Sequence, residues 1–218
     1  VLLLAIDTSA IASAALIRDG VLLESFATED TRSHAEVLAL GIETLLAGGD
    51  RPEAVAVGVG PGPFTGLRSG IATARTLSYV WDVPLHGVMS LDALAWEVLA
   101  SFERAEAPPS PFIVATDARR KEVYWASYAA DGELLAGPKV SAAAEMPPGP
   151  VYGFGAGLYA DLLGDRVAQD FASAQPRAAS LGLFAASTLA QGQSLLDSTP
   201  LYLRESDAQV PGPRKRAL

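Results

Sequence analysis

The chain has 218 residues, half of them apolar, no cysteine and a net charge of −9. Its length and apolar content suffice for one or two domains with a real core. The missing cysteines exclude disulfides, thiol catalysis and cysteine-ligated zinc, as suits a reducing cytoplasm, and the acidic balance argues against a free-standing nucleic-acid binder with a basic face.

The opening run VLLLAIDTSAIASAALI lacks a basic leader region, and Asp7 interrupts its apolar stretch. A buried strand over 1–7 followed by a polar turn is expected there, not a signal peptide. No segment reaches the roughly 18–20 unbroken apolar residues of a membrane helix, so a soluble cytoplasmic protein is expected. Ala12–Arg18 reads as a second strand, Asp19-Gly20 as a tight turn, and Val21–Thr28 as the returning strand. Ser33 with Glu36 three residues later is a capping-box pattern, and Leu38, Ile42, Leu45 and Leu46 form one apolar stripe before Gly48-Gly49 ends the helix. Ala54–Val59 is a strand leading into GPGPFTG and a helix to about Val80. Pro84–Met89 is another strand, and Ser90 is expected to cap a helix carrying Leu91, Leu94, Ala95, Val98 and Leu99.

ERAEAPPSP, from Glu103 to Pro111, combines charge and proline without apolar period and reads as a linker. After it the opening recurs. Phe112–Thr116 is a strand ending at Asp117, Lys121–Tyr128 a second, Asp131-Gly132 a turn, and Glu133–Val140 the return. Two α/β lobes related by duplication are expected, over 1–102 and 112–200, with 103–111 as linker and 201–218 as a return segment and basic tail. The tail cluster Arg214-Lys215-Arg216 reads as a solvated terminus.

VGVGPGPFTGLRSGIATARTLSY, together with IDTSAIASAALI, SHAEVLALGIETLL, PLHGVMSLDALA, DARRKEVYWASY and PLYLRESDA, resembles the bacterial TsaB (YeaZ) family in order over nearly the whole chain. The resemblance implies an actin/Hsp70/sugar-kinase-like (ASKHA, RNase H-like) α/β fold. It also implies an accessory role in making threonylcarbamoyladenosine beside the tRNA anticodon. The implied partners are a homologous transferase, TsaD, as a heterodimer, and an ATPase, TsaE; tRNA contact by this chain is expected to be peripheral.

The residues themselves argue against catalysis. Gly66 is followed by Leu67-Arg68 where a phosphate-binding loop needs Gly-Lys-Ser/Thr, and two prolines remove backbone donors. Asp7-Thr8-Ser9 keeps part of an actin-like phosphate motif, but Asp117 is followed by Ala118-Arg119-Arg120 without glycines, so these four residues are expected to outline a vestigial nucleotide cleft. Gly153, Gly155 and Gly157 read as a turn before a helix at Leu158. With only His34 and His86, no HExxH pair exists, and there is no GxSxG elbow. Neither a cofactor nor a metal is expected; the competing reading is a small ATPase or phosphotransferase of the same fold.

What remains is surface. Val37, Leu40, Gly41 and Thr44 form a second stripe on the first helix. On the second helix Gly66, Gly70 and Ala74 recur every fourth residue beside Thr73, and its only charges are Arg68 and Arg75. These ten positions are the expected partner interface, with Gly70 at a close backbone approach and the arginines at the rim. Without a partner the same face is expected to give a weak homodimer.

Overall fold

The computed structural model describes residues 1–28, 34–105 and 110–204, with the side chains of 34–36 excluded. The expected capping box, the middle of the linker and the basic tail therefore lie outside the described residues. The first lobe begins with β1 (Leu2–Asp7), β2 (Ser13–Arg18) and β3 (Val21–Ala27), continues through α1 (His34–Leu45), β4 (Ala54–Gly58), α2 (Phe64–Trp81) and β5 (Leu85–Val88), and leads into α3 (Ser90–Arg104). Its sheet has the order β3-β2-β1-β4-β5. Asp19 and Gly20 both take positive φ, as the hairpin turn demands. β1 pairs antiparallel with β2 and parallel with β4.

The second lobe repeats that opening. β6 (Phe112–Asp117), β7 (Glu122–Tyr128), β8 (Leu134–Ala142) and β9 (Val151–Tyr152) form a sheet in the order β8-β7-β6-β9. β6 is antiparallel to β7 and parallel to β9, matching β1 with β2 and β4. Asp7 and Asp117 end the corresponding strands. This is the actin/Hsp70/sugar-kinase-like pattern, with the second sheet one strand short.

Side chains alternate across β1, which sorts the first core into two layers. Leu2, Leu4 and Ile6 pack with Leu38, Ile42 and Leu45 of α1 and Leu67, Ile71 and Ala74 of α2. Leu3 and Ala5 face the other way, onto Ala178, Leu181 and Ala185 of α6 (Ala178–Ala190). α6 falls within the stretch 112–200 expected to form the second lobe, yet its apolar side is buried on the first sheet. The chain therefore returns at 178, upstream of the expected 201. Small residues on both sides permit the approach, since a Cβ on Gly182 would meet Ile17 Cδ1 at 2.2 Å.

α3 lies between the sheets. Leu91, Leu94, Ala95 and Val98 pack on Phe112, Val114, Ala126 and Tyr128 of the second sheet, while Ala93 packs into the α6 layer. On the far side of the second sheet, Val151 packs with Ala156 of α4 (Phe154–Leu158) and Leu163 of α5 (Ala160–Leu163). The glycine string expected to be a turn is the start of α4 itself. A Cβ at Gly155 would meet the Ala115 and Thr116 backbone at 2.8 Å, and one at Gly157 would meet Ala172 O at 2.0 Å, so these glycines permit close packing. Among the described residues no helix is long and apolar enough to cross a membrane.

Asp92 of α3 accepts a hydrogen bond of 2.8 Å from Tyr128 Oη across the lobe junction. Burial raises its pKa from 3.8 to about 6, with the Tyr128 bond opposing the rise. Burial also raises the pKa of Glu97, against the bond it receives from Ser180 Oγ. As pH rises from about 4 to about 6 the unfolded chain ionises Asp92 while the folded chain keeps the proton, so stability falls through that window and then levels. The rise corresponds to about 3 kcal/mol. Asp92→Asn keeps an acceptor for Tyr128 and should match the parent near pH 4, exceed it at pH 7, and show a shallower decline between, with Glu97 retaining part of the slope. Urea denaturation at pH 4, 5, 6 and 7 reads this directly.

Candidate functional site

The end of β1 gathers side-chain hydrogen bonds from three neighbouring residues, Asp7, Thr8 and Ser9. Asp7 is fully buried; its Oδ1 accepts from Ser9 N at 2.8 Å and Ser9 Oγ at 2.6 Å, and its Oδ2 accepts from Ser90 Oγ at 2.6 Å. Thr8 Oγ1 donates to Gly66 O at 2.7 Å and accepts from Gly70 N at 3.1 Å. Ser13 Oγ donates to Asp7 O at 3.2 Å and accepts from Ala178 N at 2.9 Å. β1 is thereby tied to α2, α3 and α6.

Ser90 does not cap α3 as expected. Met89 occupies the cap position without a side-chain bond, and the Ser90 hydroxyl instead accepts from Gly60 N at 3.2 Å while donating to Asp7. The GPGPFTG turn is held from both sides. Gly60 O accepts from Ser90 N at 2.8 Å, and a Cβ on Gly62 would lie 2.5 Å from Ser9 O. Its glycines admit the chain's own backbone, in the place where a phosphate-binding loop would admit phosphate.

The other end of the cleft differs. Asp117 Oδ1 accepts from Arg119 N at 2.7 Å, and Oδ2 pairs with the Arg119 guanidinium at 3.1 Å. Between the lobes lies a cleft of about 690 Å³ lined by Ser9, Pro63, Asp117, Arg119, Gln175 and Arg177, among others. Ser9 and Asp117 reach its wall, whereas Asp7 and Thr8 are absorbed beneath it. The buried Gln175 Oε1 has no hydrogen-bond partner among the described residues.

The ten expected interface residues separate by face. Gly66, Gly70 and Ala74 are buried on the inner side of α2. Gly70 lies against the chain's own Thr8, where a Cβ would meet Oγ1 at 2.3 Å, so the close approach expected at an interface is internal. Gly41 is likewise internal, packed on the Phe26 ring. Val37 and Thr73 are half-buried, and Leu40, Thr44, Arg68 and Arg75 are exposed. The arginines engage the returning chain. Arg75 donates to Ser198 Oγ at 2.9 Å and Ser198 O at 2.8 Å. Arg68 stacks 3.6 Å over Phe64 and donates from Nε to Tyr202 Oη at 3.3 Å.

The outward face of α2 carries residues that the spacing argument missed. Thr65, Ala72, Thr76 and Tyr79 recur at heptad-like intervals, all exposed, with Val80 beside them. Tyr79 is 88% exposed, and Leu40 of α1 is 65% exposed. The hydroxyls of Thr44 and Thr76 donate to the carbonyls of Leu40 and Ala72, four residues back, which satisfies them within their own helices. Small residues populate both sides of α2, and without Thr8 as a known neighbour the glycine stripe alone does not show which side is buried.

Ser90→Ala removes the hydroxyl donor to a buried carboxylate oxygen and should lower unfolding free energy by about 1–3 kcal/mol. Gly70→Ala should cost a similar ~1–3 kcal/mol by overpacking against Thr8. Both effects are expected as a reduced denaturation midpoint, and a change at Gly70 that left stability untouched would contradict the internal placement.

A family model for TsaD, tRNA N6-adenosine threonylcarbamoyltransferase, matches residues 22–153. An uncharacterized protein of Mycobacterium tuberculosis is 40% identical over 216 residues, covering 94% of this chain and 93% of its own. TsaB of Bacillus subtilis, a tRNA threonylcarbamoyladenosine biosynthesis protein by name, is 32% identical over 138 residues, or 61% of this chain and 57% of that one. YeaZ from Pseudomonas aeruginosa superposes with a TM-score of 0.76 at 27% identity, covering 93% of this chain and 99% of that structure. With the family model spanning more than half of the chain and the structural likeness almost all of it, the chain belongs to the TsaB (YeaZ) family, within the wider fold family of the TsaD transferases.

Proposed function

We propose that this chain is a non-catalytic accessory subunit in the synthesis of threonylcarbamoyladenosine on tRNA, working in the cytoplasm by docking a TsaD-type transferase through the outward face of α1 and α2. The observation that carries the docking is that face itself. Leu40, Ala72, Thr76, Tyr79 and Val80 lie exposed on two neighbouring helices, and the only charges on α2 are Arg68 and Arg75. A large exposed tyrosine among small side chains suits helix-on-helix contact. The chain matches the transferase's own family model, so the partner is expected to offer a comparable helix pair. A crossed four-helix contact between homologous lobes follows, and a weak homodimer through overlapping residues is its counterpart when the partner is absent.

The absence of catalysis is supported by the consumption of Asp7, Thr8 and Ser9 in bonds within the lobe. A carboxylate held by two hydroxyls and a backbone N–H, with no solvent exposure, is engaged before any substrate arrives. A TsaE-type ATPase belongs to the same assembly in this reading, with tRNA touched only at the periphery.

Leu40→Glu buries an unpaired charge at the contact and Tyr79→Ala removes its largest exposed side chain. Each should weaken association with the transferase by roughly 2–4 kcal/mol. Because both side chains are exposed, thermal midpoints should stay within a degree or two of the parent. Co-purification and light scattering with a matched melt read the result; unchanged affinity in both folded variants places the interface elsewhere. The purified chain alone should neither modify tRNA nor hydrolyse ATP, and ATP turnover that stays with the folded chain throughout purification would establish the competing enzyme reading.

A further inference from the structure

Another cavity, of about 320 Å³, lies where α3 and α6 meet the hairpin of β7 and β8, and it shares no lining residue with the inter-lobe cleft. Asp92 and Trp96 come to it from α3, Phe184 from α6, Tyr128 from the end of β7, and Asp131 and Leu134 from the hairpin. The turn is held against α3, since a Cβ on Gly132 would meet Leu99 Cδ1 at 2.6 Å. Trp96 and Phe184 stand edge to face, with ring centroids 6.2 Å apart. Asp131 and Leu134 are exposed, Asp92, Trp96 and Phe184 are half-buried, and Tyr128 is buried. The cavity therefore opens at the hairpin and closes at Tyr128.

The charged groups lining it are carboxylates, and no lysine, arginine or histidine is among them. Asp92 Oδ1 accepts from Tyr128 Oη at 2.8 Å, and Asp131 Oδ1 accepts from Glu133 N at 3.0 Å. The second oxygen of each has no donor among the described residues. Burial raises the Asp92 pKa to about 6, so the group is charged at neutral pH and costs the folded chain stability there. Asparagine would keep the bond from Tyr128 without that cost. A carboxylate retained where an amide fits better is a mark of a functional constraint.

We propose that this cavity binds a linear aliphatic diamine or polyamine, with one ammonium at Asp92, a second at Asp131 and the methylene chain against Trp96 and Phe184. Other small ligands fit the walls worse. An anion would face two carboxylates with no cation beside them. A neutral apolar ligand would take water from Asp92 and supply no donor. A metal ion needs more ligands, and no group of three or more His, Cys, Asp or Glu is placed to hold one among the described residues. An alkylammonium meets each requirement. Its N–H groups donate to the carboxylate oxygens, its charge is attracted by the aromatic rings, and its methylenes pack on Leu134 and the rings. A quaternary ammonium has no N–H to offer Asp92, and the second carboxylate at the mouth favours two ammonium groups over one. The site is separate from the docking face on α1 and α2, and its test does not involve the transferase.

The test is isothermal titration calorimetry on the full chain at neutral pH and physiological salt, which screens diffuse attraction to the acidic surface. The probes are 1,4-diaminobutane, butylamine and the neutral isostere 1,4-butanediol. The diamine should bind one to one, butylamine more weakly, and the diol not at all. Asp92→Asn should weaken the diamine by about tenfold or more, through loss of a charged hydrogen-bond acceptor. The same variant should melt no lower than the parent, which separates lost binding from lost folding. Asp131→Asn, at an exposed position, should weaken the diamine by about two- to fivefold and butylamine by less than about twofold. Asp165→Asn makes the same change in net charge at an exposed residue that does not line the cavity, and should alter neither ligand. Absence of saturable binding, equal losses in Asp92→Asn and Asp165→Asn, or equal affinity for the diol overturns the proposal. Butylamine bound as tightly as the diamine overturns it in favour of a single ammonium, such as a lysine side chain carries.

Discussion

The buried carboxylate of Asp7 is the constraint around which the first lobe is arranged. A fully buried acid is costly unless its oxygens are satisfied, and here the donors come from distant parts of the chain. Ser9 supplies two from the next turn, and Ser90 reaches over from the start of α3. Because Ser90 also receives Gly60 N and donates its own N–H to Gly60 O, the glycine-proline turn is locked to the same point. Ser13 extends the network to the first residue of α6. Satisfying the carboxylate thus fixes where α3 and the turn after β4 meet β1, and the Asp7 carbonyl, through Ser13, does the same for α6. The position that an actin-like ATPase would present to metal and phosphate has become a structural joint.

That joint also decides which side of α2 faces out. Thr8, adjacent to Asp7, bonds to Gly66 and Gly70, and this turns the glycine stripe inward. The opposite side, with Ala72, Thr76 and Tyr79, is left uncovered. The returning chain then trims that side. Leu201 N donates to Val59 O, and Ser198 and Tyr202 take up Arg75 and Arg68. The two arginines, the only charges on α2, are therefore oriented by the chain itself.

The second lobe keeps the duplicated topology but not the joint. Asp117 sits at the same strand end as Asp7, yet it is bonded by Arg119 from its own turn, so it ties nothing distant together. The lobes are held by α3, which lends apolar residues to the second sheet and places Asp92 against Tyr128. The lobes thus differ in what their matching aspartates do: Asp7 joins distant elements, and Asp117 closes its own turn.

The sequence by itself determined the strands, the paired Asp-Gly turns, the duplication and the family, because strand alternation, turn chemistry and the GPGPFTGLRSG stretch are local signals. It also determined that a phosphate-binding lysine and a metal pair are missing from the patterns that require them. Only the tertiary structure decided what long-range partners do with those residues. Ser90 has the sequence position of a cap, and Asp7 claimed its hydroxyl across 83 residues. Gly70 has the spacing of an interface, and Thr8 from 62 residues away took its N–H. α6 follows the second sheet in sequence, but its apolar face packs on Leu3, Ala5 and Ile17 of the first. In each case a buried group was satisfied by a neighbour that periodicity and composition do not identify, since the energy of satisfying it depends on where the chain has been brought and not on what lies beside it in sequence.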